Sequence, residues 1–159
     1  MRKRNEQSLL IFLLLFGLIS LVNLVRKPPV KDWIIIFLLK GFLSSILDNV
    51  MVKKGYVRYP VKLFKIFDTS FIFDYLLFPI TCVYYNQLTY QNGLNSIIKR
   101  VFYFSIPMTI VEQWLENKTN LIKYKNGWNW LYTLLSLSGT FLFVRAMIGL
   151  IRMKTEKEG

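Results

Sequence analysis

Residues 9–25 read LLIFLLLFGLISLVNLV, seventeen positions without a charge. At about 1.5 Å of rise per residue, such a run just covers the hydrocarbon core of a bilayer. Arg2, Lys3 and Arg4 stand before it, and Asn23-Leu24-Val25-Arg26-Lys27-Pro28-Pro29 closes it. A basic start before an apolar run also describes a secretory leader, but no small-residue cleavage site follows. The run is read as a retained first span, ended by Pro28 and Pro29, which cannot continue a helix.

Four more apolar blocks follow. The second covers 33–52, holds Lys40 and Asp48, and stops at Lys53-Lys54-Gly55. The third covers about 71–88, with Asp74 near its start and Pro79 inside. In the fourth, about 96–115, Lys99 and Arg100 crowd the start, Pro107 sits at mid-depth and Glu112 lies near the end. The fifth, about 128–151, is uninterrupted until Arg145. Over 60–70, Lys62, Lys65 and Asp68 recur every third residue among Leu63, Phe64, Ile66 and Phe67, a pattern that suits a basic amphipathic helix lying on the membrane. The expected fold is an all-α polytopic membrane helix bundle of about five transmembrane helices with one basic interfacial helix, a single domain over 1–159. No internal repeat is visible, so a transporter of two inverted halves gains no support.

The composition agrees with this reading. Hydrophobic residues make up 53% of the 159, and mean hydropathy is +0.36, more apolar surface than one soluble core of this size hides. The net charge of +12 lies between apolar blocks and not on one soluble face, which sets nucleic acid aside and favours anionic lipid headgroups. Cys82 is the one cysteine and histidine is absent. An intrachain disulfide, the usual zinc ligand sets and any imidazole base are thereby excluded. No cofactor or metal is expected.

Orientation follows from the connections. With the N-terminus inside, cytoplasmic segments hold eleven Lys and Arg and the other side holds eight. Trp33, Tyr56, Tyr59, Trp114, Tyr124, Trp128 and Trp130 fall near span ends, where amphipathic rings anchor at the interface. Asn117-Lys118-Thr119 matches a glycosylation acceptor but falls in a segment expected to be cytoplasmic, and is set aside.

Ionisable groups at membrane depth need a partner or a use. Asp48, Asp74 and Glu112 all approach one membrane face, opposite a basic supply of Lys53, Lys54, Arg58, Lys62, Lys65, Lys118, Lys123 and Lys125. Two accounts stand side by side: a cation, proton or headgroup site, or ion pairs that hold the bundle together. Lys40 lies deepest, and Ser44 and Asp48 follow at four-residue steps, giving one polar stripe that must face other helices or a cavity. Asp48 is too far along the same helix to pair with Lys40, so tertiary packing has to supply another partner. Arg145 is expected to snorkel toward the opposite face. Glu112 and Glu116, four apart, could act as an acid–base pair or bind a divalent cation, or simply mark a solvated helix end. Ser136, Gly139 and Thr140 allow close helix approach, within the bundle or to a second copy.

Several strings taken together carry a resemblance: FDYLLFP at 73–79, VYYNQ at 83–87, and EQWLE at 112–116, running on through LIKY at 121–124 to Gly127-Trp128. They resemble a family of small uncharacterised multi-pass membrane proteins of spore-forming Gram-positive bacteria, from the first span to about residue 145. The resemblance implies a bacterial plasma-membrane location and no particular activity. Asp48, Asp74, Glu112 and Trp128 match its recurring pattern. The function expected first is a membrane accessory or interaction protein whose basic cytoplasmic face meets anionic lipids, a membrane protein partner or a second copy. The alternatives are a small transporter or channel component using the intramembrane charges, and then a lipid-headgroup enzyme, ranked last because no nucleophile–base constellation is present.

Overall fold

The computed structural model describes residues 2–63 and 70–158, with side chains described over 5–63 and 70–155. Helix α1 spans Arg2–Leu24 and α2 spans Val30–Lys53. A short strand β1, Val57–Arg58, follows, and then a π-helical segment, Phe73–Leu77, runs directly into α3, Phe78–Leu88. Helix α4 spans Leu94–Lys118, strand β2 spans Lys123–Tyr124, and α5 spans Trp130–Glu158.

The π segment has a local cause. Pro79 has no amide to donate to a carbonyl one turn back, and its ring crowds that carbonyl, so the preceding turn widens. Widening rotates Asp74 into the bundle, where it is 1% exposed. The end of α2 also has a local cause. Gly55 takes φ 76°, which favours glycine, and the Gly55 and Tyr56 amides return to Val52 O at 3.0 Å and Met51 O at 2.9 Å.

The chain leaving that cap forms a further element not expected from the sequence. Strands β1 and β2 pair antiparallel, Val57 opposite Tyr124 and Arg58 opposite Lys123. Lys125 N to Tyr56 O at 2.7 Å and Val61 N to Asn120 O at 3.3 Å extend the pairing. The ribbon closes one end of the bundle over a small core of Leu10, Ile72, Leu115, Leu121 and Ile122. Glu6 of α1 ties in there, accepting from the Asn120 amide at 2.9 Å. At the far end, Arg152 Nε meets Asp32 Oδ2 at 2.5 Å and the guanidinium lies 4.2 Å from the centre of the Tyr90 ring.

Three helices are long and apolar enough to cross a membrane: 5–24 in α1, 30–53 in α2 and 130–155 in α5. A multi-pass membrane protein requires spans of this kind. The expectation of about five spans is corrected to these three. The expected third span spends five residues in the π segment and leaves 11 for α3, about 16 Å of α-helix. The expected fourth lies in the 25-residue α4, whose Asn95, Lys99, Arg100, Glu112, Gln113 and Glu116 break up its apolar runs. The interfacial helix expected over 60–70 lies mostly on 64–69, outside the described residues, and 60–63 are not helical.

Helix α1 packs on the π segment and α3. Gly17 makes that approach close: a Cβ there would collide with Leu76 Cδ2 and sit 2.7 Å from Leu76 Cγ. Gly17→Ala should therefore lower stability by about 1 kcal/mol through overpacking, seen as an earlier melt in mild detergent, with Gly139→Ala, which meets nothing within 4 Å, as the silent control.

Candidate functional site

A cavity of about 380 Å³ lies in the ribbon half of the bundle. Each of the long helices α1, α2, α4 and α5 contributes to its wall, as do the π segment and α3. Lys40, Asp48, Asp74 and Glu112, the four charges singled out from the sequence, all line it. Most of the remaining wall is apolar, including Leu13, Phe16, Leu47, Met108 and Leu137.

Helix α2 supplies the polar stripe. Lys40 is 2% exposed, and its Nζ donates to Thr140 Oγ1 of α5 at 2.6 Å. The ammonium also lies 5.2 Å from the Phe141 ring centre and 5.8 Å from that of Phe78. The partner that tertiary packing had to supply is thus a hydroxyl and two aromatic faces. Ser44, one turn on, is buried with no hydrogen-bond partner for its Oγ. Ser45 pairs with the Tyr75 hydroxyl at 2.5 Å and fastens α2 to the π segment.

Another turn on, Asp48 Oδ1 accepts from the Tyr59 hydroxyl at 2.7 Å. The Asp48 carboxyl is also within hydrogen-bonding reach of the Asp74 side chain and the Ser70 backbone. Glu112 Oε1 accepts from Tyr124 at 2.8 Å and from Thr133 at 3.4 Å. Thr133 in turn accepts from Trp128 Nε1 at 3.1 Å.

The tyrosines lie in the connections, outside the apolar helices. Burial raises the Tyr59 hydroxyl well above its usual range, and the charges of Asp48, Asp74 and Glu112 push it further. Burial raises Tyr124 too, followed by the charge of Glu112. Both keep their protons through the neutral range and so donate to the acids beside them.

The ribbon brings these donors together. Tyr59 follows β1, Tyr124 ends β2, and Trp128 follows the turn at Asn126 and Gly127, which have φ 52° and 82°. Sequence reasoning placed Tyr59, Tyr124 and Trp128 at the interface as anchors and missed that the two tyrosines bond the acids while Trp128 bonds Thr133. The left-handed turn signalled by Asn126-Gly127, just after Tyr124, was the available clue. Thr133 carried no signal at all.

The other candidates lie elsewhere. Lys53, Lys54 and Arg58 are exposed at the ribbon end, Lys62 is partly buried, and Lys65 lies outside the described residues. Lys123 Nζ donates to Glu116 O, and the Glu116 carboxylate meets Gln113 Nε2 at 3.5 Å. Arg145 Nη2 donates to Thr89 O at 3.0 Å and Tyr90 O at 3.4 Å, satisfying carbonyls beyond the end of α3. Trp33, read as an interfacial anchor, is 2% exposed and donates to Lys27 O at 2.8 Å.

No protein-family model, curated protein or solved structure matches the chain.

Proposed function

We propose that this chain is a multi-pass membrane protein that holds a small amphiphilic molecule in its bundle cavity. One observation carries the reading: Lys40 and Asp48 of α2, Asp74 of the π segment and Glu112 of α4 line a single, otherwise largely apolar cavity of about 380 Å³. An apolar concavity with a few converging polar groups is the usual character of a small-molecule site. Ionisable groups at membrane depth are expensive, and gathering four of them around a void is a costly way to build packing alone. The reading sits closer to the transporter alternative than to the accessory role ranked first on sequence.

Native mass spectrometry of the protein released from the membranes in which it was made tests it. The parent should carry a bound small molecule, and Ser136→Phe, which places a ring in the cavity, should lack it. A bare parent whose melting is unmoved by every added amphiphile contradicts the reading.

The accessory role keeps one specific support, the exposed Lys53, Lys54 and Arg58 at the ribbon end. On that reading they meet anionic headgroups or a partner protein. A cytoplasmic place for this end, and a bacterial plasma membrane, belong to the same proposal and rest on these basic residues and on the resemblance.

A further inference from the structure

We infer that the cavity takes an amphiphile with an anionic head, a carboxylate on an apolar stem, and seats that head on Lys40 and Ser44; the inference rests on the amphiphile reading above.

The first ground is a buried ammonium that, among the described residues, no carboxylate touches. Lys40 lines the cavity at 2% exposure. An ammonium has three N–H groups to place. Among the described residues its Nζ meets one oxygen, Thr140 Oγ1 at 2.6 Å, and two ring faces, those of Phe141 and Phe78. Thr140 sends its own proton to Leu137 O at 3.0 Å, so it answers Lys40 with a neutral lone pair. Asp74 acts on Lys40 through its field, which moderates the charge without supplying a bond. A buried charge lacking a bonded counterion is unfavourable, and an anion entering the cavity relieves it.

Ser44 is the second ground, and an independent one. It lines the cavity at 6% exposure, and its Oγ has no hydrogen-bond partner. Buried hydroxyls are normally paired, so this one calls for an acceptor atom from an occupant. Ser44 stands one turn from Lys40 on the same face of α2, about 6 Å along the axis, a step that the lysine stem is long enough to bridge. A carboxylate carries two acceptor oxygens on a single charge. One oxygen on the ammonium and the other on the hydroxyl satisfy both groups with one head. A phosphate head would bring further charge, and among the described residues Lys40 is the one cation on the wall.

The acids on the same wall have partners of their own and set the direction of binding. Tyr59 donates to Asp48, whose carboxyl also reaches that of Asp74 and feels the charge of Lys62. Tyr124 and Thr133 donate to Glu112. Asp48 lies two helical turns from Lys40, about 12 Å along α2, toward the ribbon. An anionic head is repelled from that end and held at the Lys40 end, while Leu13, Phe16, Met108 and Leu137 give the stem an apolar wall.

The test uses the full chain in phosphatidylcholine nanodiscs at neutral pH and three probes sharing one tail: octanoate, octanol and octyltrimethylammonium. Equilibrium dialysis against empty nanodiscs reads saturable binding. The parent should hold octanoate at least about tenfold tighter than octanol, the gain expected from hydrogen bonds to a charged group in a dry site. Lys40→Met should lower octanoate binding to the level of octanol, and Ser44→Ala should weaken octanoate by about threefold or more. Thermal melts check that both variants fold, and the parent's preference among the probes stands as a test without them. Ser136→Phe, which fills the cavity, should remove saturable binding of every probe. Equal binding of the three probes, or preference for either of the other two, overturns the anionic inference and leaves the amphiphile reading standing. Saturable binding of none, or binding that survives Ser136→Phe, overturns both. An octanoate preference undiminished in Lys40→Met and in Ser44→Ala overturns the seat assigned to the head.

Discussion

Tyr85→Ala should destabilise the protein by about 3–5 kcal/mol, the range for losing a large buried aromatic side chain. Tyr85 is fully buried at 0% exposure. Its ring stacks on Phe141 of α5 at 5.6 Å between centres and meets Phe104 of α4 edge-on at 5.9 Å. Its hydroxyl donates to Ile97 O of α4 at 3.2 Å. One side chain thus joins α3 to both neighbours. Tyr85→Phe keeps the rings and loses only the hydroxyl bond, about 1 kcal/mol. Thermal melts in mild detergent should rank parent, Tyr85→Phe and Tyr85→Ala in that order. An alanine variant that melts with the parent would mean that the three helices are held mainly by lipid.

Lys40→Met should do the opposite and stabilise the protein by about 2 kcal/mol. A lysine at the centre of a membrane helix is unfavourable by roughly 2.5–3.5 kcal/mol. Against this stand one hydroxyl bond, worth about 1 kcal/mol, and two aromatic contacts at 5.2 and 5.8 Å, beyond the closest approach. Methionine keeps the stem's packing and removes the charge. The same melt checks the prediction. A loss of about 3–5 kcal/mol instead is the signature of breaking a buried ion pair, and would make Asp74, whose field reaches Lys40, its structural counterion. A gain in stability identifies a charge kept at an energetic disadvantage, as residues serving a site commonly are.

The two substitutions separate what holds the bundle from what its cavity is for. Tyr85 lies outside the cavity wall and carries packing. Lys40 lies on the wall and carries a buried charge.

The sequence by itself determined the long apolar helices and the inward face of α2. Runs such as 9–25 must bond their backbone internally, because lipid offers no partner, and a helix does this with local contacts alone. The stripe of Lys40, Ser44 and Asp48 was legible for the same reason, since a period of 3.6 depends on no other part of the chain. The four charges that line the cavity could be named from residue type and expected depth.

Their convergence on one cavity was decided only by tertiary structure. Asp74 turns inward because Pro79 widens the preceding turn. Thr140, a hundred residues from Lys40, becomes its partner through the packing of α2 on α5. The ribbon is two residues on each strand, too short to show an alternating pattern, and its pairing joins segments more than sixty residues apart. Tyr59 and Tyr124 therefore looked like interfacial anchors until the strands met and set their hydroxyls against Asp48 and Glu112. The span count failed at the same boundary. Helices α3 and α4 hold polar residues and irregular turns that no apolar stretch tolerates alone, and neighbouring elements satisfy them. Periodicity and composition are local and can be read along the chain, whereas the partner of a buried polar group is a distant residue that only the fold supplies.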